Sequence, residues 1–271
     1  MKRSWYATPY ALWMLLFAVV PLLFVCWYAF TSPEGTFTLT NFQEFAKPRY
    51  MGVILRSLKL ALYCTALCLL IGYPTAYFLA SRDFSRAQSL VVLIIVPMWM
   101  NFLLRTYAMM TLLEDNGVLN TLMRAMGLPG MKMIGTEGAV VLGMVYNYLP
   151  FMVLPIYTVL KKMDYSLIEA AQDLGCNPLQ VVSRVVLPMS IPGVVSGITM
   201  VFMPAVTTFS ISRLLSSGMV YLVGDMIEDY FISMNNRNVG SSISLVMLVL
   251  IILSIGFLRK VDPDSEGGGL W

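Results

Sequence analysis

The sequence predicts an all-α, polytopic membrane protein with about six transmembrane helices and one compact polar helical loop. Three observations predict it. Of 271 residues, 58% are hydrophobic and only 12% are charged, and mean hydropathy is +0.74; a soluble domain carries about 25% charged residues. Apolar runs recur at lengths near the roughly 20 residues that a helix needs to cross a bilayer. One stretch, EAAQDLGCNPLQVVSRVVLP at residues 169–188, interrupts them with polar, cap-bearing sequence.

The six spans are read, in order, at residues 10–30, 58–80, 90–113, 139–160, 191–212 and 241–258. Together they form a single transmembrane domain over residues 1–260, followed by a polar tail at 261–271. The first span follows Lys2 and Arg3 in the manner of a signal peptide, but its apolar run is longer than a signal core, so it reads as retained. The loop at 31–57 is long and carries Pro33, Gly35 and Pro48. Residues 116–130 form an amphipathic piece. Val118, Leu119, Leu122, Met123 and Met126 share one helical face, and Gly127 and Pro129 end it. The tail, with its DPDSEGGG run, lacks the apolar content to order alone.

Six spans place both termini on one side. That side holds Lys2, Arg3, Arg82, Arg86, Lys161, Lys162, Arg184, Arg259 and Lys260. The other holds Lys47, Arg49, Arg56, Lys59, Arg124, Lys132, Arg213 and Arg237. The two counts nearly balance, so charge alone sets orientation weakly. The net charge of +3, without a basic run, gives no footing for nucleic acid.

Histidine is absent, which removes imidazole acid–base chemistry. No nucleophile elbow or phosphate-binding glycine loop is present, so no catalytic residue is assigned. Cys26, Cys64, Cys68 and Cys176 supply neither a metal-ligand set nor a disulfide framework. Cys64 and Cys68, one helical turn apart, are read as apolar packing.

The polar loop, residues 161–190, carries its own punctuation. Ser166 and Glu169 have capping-box spacing, with Asp164 as an alternative cap. Ala170 and Ala171 favour helix with little bulk. Gly175 suits a left-handed closing residue, and Asn177-Pro178 suits a fresh N-cap and first position. Two short helices joined by a sharp turn are therefore expected, with Pro188 and Pro192 marking the return to the membrane.

This stretch resembles the EAA loop of binding-protein-dependent ABC importer permeases. Glu169, Ala170, Ala171 and Gly175 stand at the motif's spacing, followed by Val185, Leu187 and Pro188; Val185 replaces the motif's usual isoleucine. The runs IGYPTAYFLA, VPMWMNFLLRTYAMM, LPFMVLPIYTVLKKMD and LPMSIPGVVSG are similar to the first permease subunit of spermidine/putrescine importers. The resemblance covers about residues 10 to 258 and leaves out the tail.

The resemblance implies a permease subunit that forms half of a polyamine pathway in a bacterial inner membrane. It implies a second, homologous permease subunit, two ATP-binding subunits and an extracytoplasmic substrate-binding protein. ATP and Mg would be bound by the partner, leaving this chain without a cofactor. Its loop would seat a coupling helix in the ATPase, which makes the loop and both termini cytoplasmic. Glu169 is left with two roles, capping its own helix or pairing with the ATPase. The alternatives are the same machinery with another small organic solute, or a carrier driven by an ion gradient.

A polyamine needs carboxylates for its ammonium groups and aromatic faces for its methylenes. The pathway candidates are Trp99, Asn101, Tyr107, Glu114, Asp115, Tyr146 and Tyr148. Asp225, Glu228 and Asp229 lie further out, where they are expected to face the delivering protein. Pro74, Pro97, Pro150, Pro155 and Pro204 each free a carbonyl four residues back. Arg105, inside the third span, is expected to pair with a carboxylate or a broken helix, with a gate as the alternative.

Overall fold

The structure, a computed structural model, describes residues 8–45, 47–81 and 87–261. Lys2, Arg3, Arg82, Arg86 and tail residues 262–271 lie outside the described residues. Among the described residues there are helices and one isolated bridge, Thr31 to Phe37. The helices in chain order are α1 (Pro9–Ala29), α2 (Thr40–Phe45), α3 (Pro48–Ala80) and α4 (Ala87–Ile95). Then come α5 (Phe102–Leu113), α6 (Val118–Ala125), α7 (Glu137–Lys162) and α8 (Ser166–Asp173). The last are α9 (Pro178–Thr207), α10 (Ser210–Ser216), α11 (Val223–Ile232) and α12 (Arg237–Val261).

Five of these, α1, α3, α7, α9 and α12, are long and apolar enough to cross a bilayer, and the bent pair Leu90–Trp99 with Phe102–Ala125 brings the number to six when it is counted as one broken span. The core is the bundle of α3, α7 and α9. Small residues let it close. Met152 of α7 is fully buried between glycines of both neighbours: a Cβ at Gly72 would stand 3.0 Å from its Cγ, and one at Gly197 2.8 Å from its Sδ. One turn before Gly197, Gly193 meets the Pro155–Ile156 backbone. Gly193 and Gly197 thus form a small-xxx-small seam, the spacing by which backbones approach inside membranes. Cys64 and Cys68 are fully buried in this core.

The two ends are tied differently. At the end remote from α8, Glu137 accepts from Lys59 at 3.1 Å and pairs with Arg56 at 3.5 Å, joining α7 to α3. The Asn41 side chain donates to the carbonyls of Ala29 and Thr31, and Asn238 donates to those of Tyr28 and Thr31. These amides satisfy the last carbonyls of α1, which have no intrahelical partner. They are also the main polar tether of α1, whose most apolar window has no buried residue.

Three expectations are corrected. The third span is not one helix. It breaks at Met100–Asn101, where the axis turns by 101°. Pro97 tightens the turn before the break, and Asn101 caps α5 by accepting from the Leu103 N–H at 2.8 Å. The fifth span does not begin at 191. α9 runs unbroken from Pro178 through Pro188 and Pro192, then stops at Thr207, and residues 210–216 form the separate α10. The second span starts ten residues earlier than read, at Pro48.

Two of the helix prolines, Pro21 and Pro188, are absorbed by local widening. Two turns use hydrogen bonds from i+5 to i: Val20 N–H to the Leu15 carbonyl, and Leu187 N–H to the Val182 carbonyl. Phe17, four residues before Pro21, lies in the first; Arg184, four before Pro188, lies in the second. A proline ring collides with that carbonyl in a regular helix, and the wider turn relieves the collision.

Candidate coupling element and pathway residues

The loop folds into a locked corner. Asp164 accepts from the Ser166 N–H at 3.0 Å, so Asp164, and not Ser166, caps α8. The Ser166 bonds hold the Asp164 carboxyl below its ordinary range. At the far end Leu174 N–H bonds the Ala170 carbonyl, Gly175 N–H that of Gln172, and Cys176 N–H that of Ala171. Gly175 sits at φ +83°, the left-handed conformation its lack of a Cβ permits. Asn177 and Gln180 then exchange caps: Asn177 Oδ1 accepts from Gln180 N–H at 2.8 Å, and Gln180 Oε1 from Asn177 N–H at 2.9 Å. The second expected helix is therefore the first turn of α9 itself.

Burial divides the corner into a seat and a tip. Ile168, Ala171 and Val181 are buried and hold α8 against the span ends. Glu169, Ala170 and Gly175 are exposed. The tip carries two apolar side chains that lie outside the motif positions: Leu174 is 86% exposed and Leu179 81%. They flank the glycine turn, so their spacing is set by its hydrogen bonds. Their signal in the sequence was apolar residues at positions where capping chemistry predicts exposure. Val185, Leu187 and Pro188 lie apart from the tip, in and just after the widened turn of α9.

Among the described residues, the pathway candidates stand in several different settings. Trp99 is 81% exposed at the break in the third span, and Asn101 beside it is committed to its cap. Glu114 and Asp115, at the C-terminal end of α5, line one open pocket of about 350 Å³ with Lys132, Ser217 and Met219. Tyr107 and Tyr146 are about half exposed on separate helices. Tyr148 points into the core and donates to the Pro204 carbonyl at 3.4 Å.

The three outlying acids are engaged within the chain. Asp225 is buried; its Oδ2 accepts from Ser212 Oγ at 2.7 Å and Leu222 N–H at 2.9 Å. Burial pushes its carboxyl up to about 6. Arg213 pairs with Glu228 at 2.9 Å and Asp229 at 3.0 Å, and Tyr221 donates to Asp229 at 2.8 Å. Arg105 has no carboxylate within salt-bridge distance among the described residues, and its buried Nε lacks a hydrogen-bond partner there. The expected ion pair is not formed among the described residues. The amphipathic piece forms the helix α6, which is held through a polar side chain. Asn120, buried, bonds Glu114 and Met131, while Val118, Leu122 and Met126 turn outward.

Comparison with known proteins places this geometry. Residues 69–266 match the family described as the binding-protein-dependent transport system inner membrane component. The spermidine/putrescine transport system permease protein PotB of Haemophilus influenzae is 36% identical over 251 residues, covering 90% of this chain and 88% of that one. PotB of Escherichia coli K12 is 34% identical over 251 residues, covering 90% and 91%. A chain of a bacterial ABC transporter involved in the import of the acidic polysaccharide alginate shares the fold, with a TM-score of 0.75 at 18% identity, covering 96% of this chain and 97% of that chain. A chain of the MetNI methionine ABC transporter in an inward-facing conformation aligns with a TM-score of 0.59 at 17% identity over 79% of this chain and 97% of that one.

Proposed function

The chain belongs to the binding-protein-dependent transport system inner membrane components, and on that premise we propose that it forms half of the pathway of an ATP-driven polyamine importer. Spermidine and putrescine are the cargo, as the names of its PotB relatives state for those proteins. A second, homologous permease subunit completes the pathway. Two ATP-binding subunits, which carry ATP and Mg, drive it, and an extracytoplasmic binding protein delivers the substrate. The loop and both termini face the cytoplasm. This chain hydrolyses nothing and binds no nucleic acid.

One observation carries the coupling role: two leucines more than four-fifths exposed on a corner locked by reciprocal caps and a left-handed glycine. In water such side chains gain nothing; in an apolar cleft each contributes about 2 kcal/mol. A locked corner loses little entropy on docking and transmits displacement to α9, with which it is continuous. The coupling residues are Glu169, Ala170, Ala171 and Gly175 at the corner, with Val185, Leu187 and Pro188 carrying motion into the span. Trp99, Tyr107, Glu114, Asp115 and Tyr146 are the exposed pathway candidates; Asn101 and Tyr148 support them by capping and packing.

The test is uptake in cells that lack their own polyamine system, supplied with this importer's subunits. Labelled spermidine or putrescine enters only when the ATP-binding subunit is present and active. Uptake that survives loss of ATP hydrolysis overturns the coupling, and failure with both polyamines overturns the cargo.

A further inference from the structure

Beside α8 lies a cleft of about 380 Å³ where α3 and α7 end and α9 begins. Ala80, Leu160, Ile168 and Val181 make its apolar floor. Tyr77, Lys161 and Gln172 place a phenol, an ammonium and an amide around the mouth, and among the described residues no carboxylate lines it. A site that collects donors and one positive charge selects an anion. Its depth fixes where that anion comes from. α7 has 26 residues, about 39 Å of helix, longer than the roughly 30 Å hydrocarbon layer. The last residues of α7, Lys161 among them, therefore stand at headgroup level.

The cleft also opens onto an apolar stripe. Leu70, Pro74 and Tyr77 recur at helical spacing on α3 and are exposed, Leu70 at 71%. The stripe leads from the bilayer interior to the mouth of the cleft. A donor-lined pocket joined to an exposed apolar track has the two parts of a phospholipid, a phosphate head and an acyl chain. We propose that this cleft holds the headgroup of an anionic phospholipid from the cytoplasmic leaflet, with a chain along α3. The charge arrangement favours that leaflet, whose anionic lipids attract basic groups near span ends.

The position gives the lipid a consequence. Ile168 and Gln172 belong to α8, so one wall of the cleft is the coupling helix itself. A headgroup seated there props α8 against the ends of α3 and α7. This rests on the cytoplasmic placement of the loop proposed above. Transport then needs anionic lipid, as well as ATP, for full coupling.

The experiment uses the assembled importer in nanodiscs of phosphatidylcholine alone or mixed with phosphatidylglycerol. Native mass spectrometry reads retained lipid, and ATPase stimulation by loaded binding protein reads coupling. Phosphatidylglycerol is expected to be retained over phosphatidylcholine, and Lys161→Gln to lower its retention about fivefold. Tyr77→Phe, which removes one hydroxyl, lowers retention without altering the fold. Equal retention of both lipids, or unchanged retention in both variants, overturns the proposal. Displacement by free glycerol phosphate assigns the cleft to a soluble phosphate and also overturns it. Binding of the ATP-binding subunit is recorded in parallel: its loss in wild type would refute the coupling reading, whereas lipid indifference with that subunit bound refutes only the lipid.

Discussion

Gly193 of α9 lies so near Ile156 of α7 that a Cβ on the glycine would stand 3.0 Å from the Ile156 Cα. The contact is with backbone, which cannot swing aside as a side chain can. Pro155 stiffens the same segment, and its carbonyl is equally close. Gly193→Val is therefore expected to lower stability by about 1–3 kcal/mol through overpacking. The measurement is the thermal midpoint of the purified subunit in detergent, with Val194→Ile, half-buried on the same helix, as the control. An unchanged midpoint for the glycine variant would show that α7 and α9 separate freely.

Leu174 and Leu179 should act as a pair of anchors. Each truncation to alanine is expected to cost about 2 kcal/mol of binding to the ATP-binding subunit, so the double variant weakens retention about a thousandfold. Neither packs in the core, so the subunit's own melting stays put. Quantitative pull-down from detergent checks this, with the second permease subunit as the internal reference. Retention equal to wild type removes both leucines from the interface.

Gly175 separates backbone geometry from contact. At φ +83° an alanine costs about 1–2 kcal/mol, while open space around the glycine means it meets no neighbour. Gly175→Ala should bind the ATP-binding subunit and couple less efficiently. Gly175→Pro cannot adopt the angle at all, so it should lose both. Uptake per ATP hydrolysed distinguishes the two variants, and full coupling in the proline variant would mean the corner is not the transmitting part.

Asp225 makes the end remote from α8 sensitive to acidity. Its folded value is raised to about 6, mainly by burial; Ser212, Leu222 N–H and Arg213 oppose the rise and Asp229 adds to it. The folded protein therefore holds this proton more tightly than the unfolded chain does. The resulting stabilisation is complete below the ordinary value of 3.8 and is lost as pH rises through about 6. Thermal midpoints should fall across that window in wild type and flatten in Asp225→Asn. A slope of the opposite sign would place the carboxylate in a favourable ion pair instead.

How much of the molecule is legible in its residues depends on the range of the forces involved. Gly175 and the Asn177–Gln180 cap were legible because their chemistry is complete within four residues. The family was legible from the seven positions of the motif. The break at Asn101 carried its signal, an N-cap residue four after Pro97, but the apolar run around it masked the signal. The partners of Arg213, Glu228 and Asp229 were not legible, because ion pairs between helices depend on packing. Arg105 shows the same limit in reverse: a charge in an apolar run implies a partner, and this chain supplies no carboxylate for it among the described residues. The Gly193–Gly197 seam could have been read from spacing alone.

The widened turn at Val182–Val186 has a rotational consequence. In a regular helix each residue advances the azimuth by about 100°. The extra residue therefore sets the compass bearing of Pro178–Val181 relative to the rest of α9. Deleting one residue there would straighten the ladder and swing the leucine at 179 about a quarter-turn or more around the shaft. The knuckle would keep its shape and point the wrong way, like a key cut correctly and inserted out of phase.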